Sequence, residues 1–467
     1  MHVGHLRSTI QGDSICRIFE FLGYNVDRVN HVGDWGTQFG MLIAELDDNF
    51  PDFVNQPPNI TDLQTFYQKA KKRFDAEEDF KARAHQNVVK LQSGDDHCIK
   101  GWKMLCQLSR IEFQRIYDRL DIKLEEVGES FYNPMLKGLV EDLVARGVAE
   151  DNKGATCVFV PKHNVPLIVR KSDGGFNYDT TDMAALNYRV NTIGANRIIY
   201  VTDIGQELHF KLVFKGGEKA GFYDPKTTQL DHMVFGMVCS EVVVIDEKTG
   251  KEVKKMEKMK TRSGDTVKLQ DLLDEAKARA LKLFEERMQL EGAERKVQVE
   301  ASKMEETAER MGISAIKYFD LKQNRVQNYV FDFDKMLDPK GNSGVYLLYA
   351  YVRINSIIEK SKYGSPAELE KLRAEAHVFK LTHDSERELA MAILRLPEQL
   401  ELAVSELQIN KVCDFIYEIA CQIQAFYQNC KVHGSEEERS RILLLDACRK
   451  VMSKAFDLLG MMKIDKI

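Results

Sequence analysis

The chain opens Met1-His2-Val3-Gly4-His5 and passes at once into a helical pattern, with Leu6, Ile10, Ile18, Phe19 and Leu22 at helix spacing and Gly23 as a natural stop. No other feature limits the available folds as strongly. A His-x-Gly-His box at a helix N-terminus is a nucleotide-binding turn. Gly4 lets a phosphate approach the backbone, and two imidazoles stand where the helix dipole favours negative charge. Such a turn ordinarily connects a strand to its helix, so the box predicts an α/β nucleotide-binding fold. The sequence begins at the box itself, without that strand.

The 467 residues suffice for two or three domains, each with its own core. A hydrophobic content of 44% with 30% charged residues describes an ordinary globular protein. No apolar run is long enough for a bilayer and nothing resembles a signal peptide, so no membrane partner is expected. The nine cysteines, among them Cys16, Cys98, Cys157, Cys239 and Cys430, form no C-x-x-C pair. They read as reduced, buried thiols, and no metal site is expected. A net charge of -6 argues against indiscriminate nucleic-acid binding but leaves room for local basic surfaces. The clusters at Lys69-Lys71-Lys72-Arg73 and from Lys248 to Arg262 read by default as solvated faces and loops.

Residues 1–47 predict a helix, a strand around Tyr24 to His31 and a glycine-punctuated loop, Gly33-Asp34-Trp35-Gly36. Pro51, Pro57 and Pro58 then open a charge-rich helical insertion near 48–120. A second α/β stretch covers 121–240, with short β-branched runs at Val158-Phe159-Val160, Pro166-Leu167-Ile168-Val169 and Arg197 to Val201. Val242 to Ile245 before Lys248-Thr249-Gly250 reads as a small hairpin. Residues 1–275 therefore form one α/β unit, 276–340 a helical connector, and 341–467 an all-α bundle. Ile416, Ile419, Ala420, Ile423 and Phe426 mark a buried stripe of that bundle.

Four further blocks follow the box in order: His31-Val32-Gly33-Asp34-Trp35-Gly36-Thr37-Gln38-Phe39-Gly40, Lys171 to Asp182, Tyr200-Val201-Thr202-Asp203-Ile204-Gly205-Gln206, and Met259-Lys260-Thr261-Arg262-Ser263-Gly264. Together with the box they resemble the arginyl-tRNA synthetases, a class I aminoacyl-tRNA synthetase family, over nearly the whole chain. The family's second signature loop is usually Lys-Met-Ser-Lys-Ser; Met259 to Ser263 occupies its place in degenerate form. The fold this implies is a Rossmann-like doubly wound catalytic domain, here with its first strand missing, followed by an all-α anticodon-binding domain.

The resemblance implies ATP-dependent activation of L-arginine and transfer of the arginyl group to tRNA(Arg), in the cytoplasm, with Mg²⁺ accompanying ATP and with other synthetases as further partners. His2, Gly4, His5, Met259 and Lys260 would bind the nucleotide. His2 and His5 would donate hydrogen bonds to the charge that builds at the α-phosphorus, while Lys260 and Arg262 hold the pyrophosphate. Glu129, Tyr178, Asp182 and Gln206 match the family's arginine partners. If the segment from Tyr178 to Asp182 is helical, hydroxyl and carboxylate share one face. Tyr346, Tyr349 and Arg353, at the start of the bundle, are placed to stack on or hydrogen-bond unpaired anticodon bases.

Each of these residues has a plainer reading. Asp182 and Glu129 are ordinary loop or surface acids in isolation, Tyr178 a core residue, and the bundle tyrosines packing residues. Trp35 and Gln38 read as scaffold. Tyr351 stands where the family often has histidine, and the stretch from Glu241 to Glu257 is longer than the usual pattern. Family members also carry an N-terminal domain and a first strand upstream of the box. The expectation drawn from their absence is a truncated chain that folds poorly or lacks normal activity, since a central strand buried on both faces contributes a large share of a domain's small net stability. Two rival readings stand beside arginine–tRNA ligation: a nucleotidyltransferase that adenylates a carboxylate without tRNA, and a non-catalytic remnant that binds only tRNA or a partner.

Overall fold

The computed structural model describes residues 1–56, 58, 63–245, 251–260, 266–289, 301–375, 379–464 and 466. The box forms a single 3₁₀ turn, Val3–His5, that leads into α1 (Leu6–Phe21). Leu6, Ile10, Ile18 and Phe19 are buried as their spacing predicts, and the helix stops at Gly23 with φ +89°. Leu22, expected on the same face, is instead exposed.

The strand expected from Tyr24 to His31 shrinks to β1 (Val29–Asn30), paired in parallel with β2 (Glu125–Glu126). Arg28, just before it, is drawn back onto α1, where it pairs with Asp13 at 2.7 Å and Glu20 at 2.6 Å. Between these strands lies the helical insertion: α2 (Thr37–Asn49), α3 (Leu63–Ala76), α4 (Glu78–Gln92) and α5 (Asp96–Arg119). It has its own core around Leu42, Ile43, Leu46, Phe66, Phe80 and Leu105. Gly40 lets α2 lie against α4, since a Cβ there would stand 2.2 Å from the Ala84 carbonyl oxygen. Trp35 packs edge-on against Trp102 at 5.6 Å, a scaffold contact.

The second α/β stretch begins with α6 (Glu129–Ala145) and an antiparallel meander of β3 (Glu150–Asn152), β4 (Ala155–Val158) and β5 (Leu167–Arg170). It continues through α7 (Tyr178–Asn191), β6 (Arg197–Tyr200), α8 (Glu207–Lys219) and β7 (Gln229–His232). β6 and β7 pair in parallel, Arg197 opposite Gln229 and Tyr200 opposite His232. The parallel pairs β1–β2 and β6–β7 are separate sheets, joined by no strand of the described residues. Helices α6 to α8 pack around Leu143, Val158, Leu167, Met183, Leu186 and Phe210.

The hairpin expected near Val242 is longer than predicted, with β8 (Val238–Ile245) and β9 (Glu252–Lys258) paired antiparallel. β10 (Tyr329–Val330) adds to β8 in parallel. The extra length between Glu241 and Glu257 is therefore largely paired strand rather than open loop.

α9 (Leu269–Gln289), α10 (Met304–Leu321) and α11 (Phe333–Met336) follow, then α12 (Gly344–Glu359), α13 (Pro366–Ala374), α14 (Asp384–Leu394), α15 (Leu396–Glu406), α16 (Asn410–Asn429) and α17 (Glu438–Leu458). The stripe Ile416, Ile419, Ala420, Ile423 and Phe426 is buried as expected. α10 is buried on nearly every side between α1, α9, α12 and α16, so one apolar core runs from the opening helix into the bundle. Polar ties reinforce that junction. Arg7 on α1 pairs with Asp320 on α10 at 3.0 Å with both side chains buried, and Ser14 Oγ donates to the Leu458 carbonyl at 2.7 Å.

Candidate active site

The acidic candidate residues gather where the parallel strands end. The loops after β1, β2, β6 and β7 all leave carboxyl ends of parallel strands, the edge at which open α/β sheets bind ligands. The candidate residues form two groups, of which these loops carry the acidic one.

The first is the box. Its turn is built by its own imidazoles: Gly4 N–H donates to His2 Nδ1 at 3.0 Å, and His2 N–H donates to His5 Nδ1 at 3.1 Å. The two rings stack with centroids 3.8 Å apart. Because each Nδ1 accepts, the proton of each neutral ring sits on Nε2, which is left to donate outward. Burial and the nearby charges lower both rings, taking His5 to about 4 even though part of it reaches solvent. At neutral pH both are therefore uncharged donors. Gly4 is required for close packing, since a Cβ would lie 2.8 Å from His2 Cε1.

The box is fastened to the segment that closes the second signature block. Val3 N–H donates to the Val267 carbonyl at 2.9 Å, Leu269 N–H donates to that of Met1 at 3.2 Å, and His2 bridges Lys268 in antiparallel fashion. Lys260 in turn bridges Thr266. Met259 N–H donates to the Val238 carbonyl at 3.2 Å, and its side chain packs on the core, while Lys260 is exposed. Arg262 lies outside the described residues. Lys258, at the end of β9, is close enough to depress both histidines and adds a cation that the motifs do not mark.

The second group is an acidic pocket framed by three helix N-termini. Glu129 is the first residue of α6, Tyr178 the first of α7, and Gln206 the residue that leads into α8. The loops after β1 and β2 are stitched together by Asp34, which accepts from Ser130 N–H at 2.8 Å and Ser130 Oγ at 2.6 Å. Glu129 N–H donates to the Val32 carbonyl at 3.0 Å. Burial, then the charges of Asp182 and Asp34, push the half-buried Glu129 carboxyl up to about 7. Glu129 and Asp182 thus share one electrostatic site.

Tyr178 and Asp182 do lie one turn apart on a single helix. Tyr178 is 60% exposed, so it is available to a ligand rather than committed to a core. Asp182 is half-buried, with His209 at 2.6 Å and His31 at 3.7 Å. Arg189 donates to His31 Nδ1 at 3.2 Å, which directs the His31 Nε2 proton toward Asp182. Gln206 ends a 3₁₀ turn, Ile204–Gln206, capped by Asp203, whose carboxylate accepts from Gly205 N–H at 2.8 Å. His31, Asp34, Asp179, Arg189 and His209 join the site without having been expected there from the motifs. His31 and Asp34 belong to the block that runs from His31 to Gly40, and His209 sits one helical turn after Gln206.

The bundle residues divide. Tyr346 is half-buried against α16, its ring 5.9 Å from that of Tyr417. Tyr349 is also half-buried, and Tyr351 packs edge-on against Phe456 at 5.5 Å. Arg353 is exposed, with its guanidinium 5.2 Å above the ring of Tyr427, which is itself exposed. Among the described residues no group of three or more histidine, cysteine, aspartate or glutamate side chains is placed to hold a metal ion, and no helix is long and apolar enough to cross a membrane.

Residues 1–333 match the family model of the class I tRNA synthetase (R) catalytic domain, and residues 347–467 match the DALR anticodon binding domain. The chain is similar along its full length to the cytoplasmic arginine–tRNA ligase of Xenopus tropicalis, 46% identical, of which it covers 69%. It is 47% identical to the arginine–tRNA ligase of Crocosphaera subtropica, of which it covers 78%. Among solved structures, that of arginyl-tRNA synthetase from Plasmodium falciparum matches the whole chain with a TM-score of 0.83 at 38% identity, and 74% of that protein is covered. The fold is thus a Rossmann-like class I catalytic domain followed by a helical DALR domain, and the chain belongs to the class I arginyl-tRNA synthetase family.

Proposed function

We propose that the chain works as an arginine–tRNA ligase, activating L-arginine with ATP and passing the arginyl group to tRNA(Arg). The observation that carries the reading is the presence of two groups of side chains: neutral imidazole donors at His2 and His5, and an acidic pocket holding Glu129 and Asp182. The pocket suits a planar cation that takes hydrogen bonds in its own plane. In activation, a carboxylate oxygen of arginine bonds to the α-phosphorus while the bond to the pyrophosphate breaks. His2 and His5 donate through Nε2 to the phosphoryl oxygens, where charge builds. Lys260 and Arg262, joined by Lys258, hold the departing pyrophosphate. In transfer, the terminal adenosine 2′-oxygen of the tRNA bonds to the arginyl carbonyl carbon and AMP leaves. Mg²⁺ comes with the nucleotide, where it would neutralise phosphate charge.

Tyr178 and Gln206 complete the arginine pocket, and Tyr346, Tyr349 and Arg353 meet the anticodon. The same reading divides the chain into residues 1–275, 276–340 and 341–467, and it carries cytoplasmic residence and association with other synthetases. Amino-acid-dependent exchange between ATP and labelled pyrophosphate, run with tRNA present, tests it. Exchange driven by arginine and by no other standard amino acid is the expected result. Exchange driven equally by lysine or another amino acid would refute the assignment.

A further inference from the structure

His209, in the first turn of α8, has a carboxylate at each ring nitrogen. Nε2 lies 2.6 Å from Asp182 Oδ2, and Nδ1 lies 3.2 Å from Asp179 Oδ1. A neutral imidazole donates through only one nitrogen, so two carboxylates select the doubly protonated ring. Burial opposes that charge, but the hydrogen bonds to Asp179 and Asp182 outweigh it and hold the proton up to about 9. The far end of the chain of bonds is fixed: buried Asp179 accepts the backbone N–H of Ile168, in β5, at 3.0 Å. The ring of Tyr178 meets that of His209 edge-on at 4.9 Å. One imidazole therefore touches two of the residues assigned to arginine, Tyr178 and Asp182.

This arrangement fixes how Asp182 is presented. His209 binds Oδ2 and His31 faces Oδ1 at 3.7 Å, so an imidazole stands at each oxygen of the carboxylate. Each oxygen keeps a lone pair with which to accept from a guanidinium while His209 stays in place. We propose that His209, anchored through Asp179 to β5, is a positioning residue that fixes the Asp182 carboxylate in the orientation that meets the guanidinium. The proposal rests on the reading of this pocket as the arginine site.

Two substitutions separate the two bonds. A glutamine amide reaches about as far as Nε2 and can keep the bond to Asp182. An asparagine amide reaches only about as far as Nδ1 and loses it. With the full chain, the arginine and ATP KM values of His209→Asn and His209→Gln are measured beside those of Asp182→Asn. His209→Asn is expected to raise the arginine KM roughly tenfold, the size of one lost charge-assisted hydrogen bond. His209→Gln should stay within about threefold, and the ATP KM within about twofold in both, because neither bond faces the nucleotide. Should His209→Asn not fold, Asp179→Asn keeps the acceptor for Ile168 but removes the charge that orients the ring, and it should raise the arginine KM several-fold with the ATP KM unchanged. Equal effects of the asparagine and glutamine substitutions, parallel changes in both KM values, or an unchanged arginine KM would overturn the role of His209, provided Asp182→Asn itself raises the arginine KM. If Asp182→Asn leaves that KM unchanged, the pocket reading fails first and takes this inference with it.

Discussion

Glu129 carries the clearest chemical signature of any single residue in the chain. Its carboxyl, pushed up to about 7 by burial and by Asp182 and Asp34, is only partly ionised at neutral pH before a ligand enters. A guanidinium binds the anion, so raising the pH from 6 to 8 should lower the arginine KM, by no more than about tenfold per pH unit below 7 and levelling off above it. Glu129→Gln should raise the arginine KM and flatten this dependence; steady-state kinetics across that range measures both. A second residue-scale prediction concerns Gly4. A methyl group there would press on the His2 ring from 2.8 Å and disturb the stack with His5. Gly4→Ala should cut kcat about tenfold or more while the arginine KM stays nearly constant, because only the phosphate-facing donors move.

At the scale of elements, α1 is held from its buried side by an ion pair rather than by apolar contacts alone. Arg7 meets Asp320 at 3.0 Å, donates to the carbonyls of Gly236 and Gln327 at 2.9 and 3.0 Å, and lies over the Tyr329 ring at 5.2 Å. Removing one partner strands a buried charge. Arg7→Met should therefore destabilise the protein by about 3–5 kcal/mol in denaturant unfolding, and Arg7→Met with Asp320→Leu by clearly less. The elements also show which signals in a sequence travel and which do not. The shared face of Tyr178 and Asp182 was legible only on the condition that their segment is helical, because an i, i+4 spacing fixes a face once a helix is given. A strand from Tyr24 to His31 was legible in the sequence. Its shortening was not, because Asp13 and Glu20 pull Arg28 back onto α1 only once the chain has folded. The antiparallel pairing of β3, β4 and β5 was hidden for a related reason: side-chain pattern marks a strand but not its partner's direction.

Across the whole molecule, residues far apart in sequence meet through packing. The family resemblance pointed to one function for His2, Lys260, Glu129 and Asp182 but gave them no geometry. The structure adds the antiparallel ties from Met1, His2 and Val3 to residues 267–269 and the convergence of three helix N-termini on the acidic pocket. His209 was invisible to motif reading because it reaches Asp182, 27 positions earlier, only through the packing of α8 on α7. The bundle lies far along the chain from that pocket, yet its core is continuous with α1 through α10. Arg353 is exposed above Tyr427, and under the proposed function it meets an unpaired base. Arg353→Ala should raise the KM for tRNA about fivefold or more, in the range of one lost base contact, with little change in stability or in the arginine KM; aminoacylation at varied tRNA concentration measures it.

The central claim is that the acids of the pocket framed by α6, α7 and α8 read the guanidinium while the box and its partner loop handle the nucleotide. Asp182→Asn tests it most directly, because the change keeps shape while removing the charge and one acceptor oxygen. The account predicts an arginine KM raised about 10- to 100-fold with the ATP KM within about twofold of the unsubstituted chain. An equal rise in both, or an unchanged arginine KM, would contradict it.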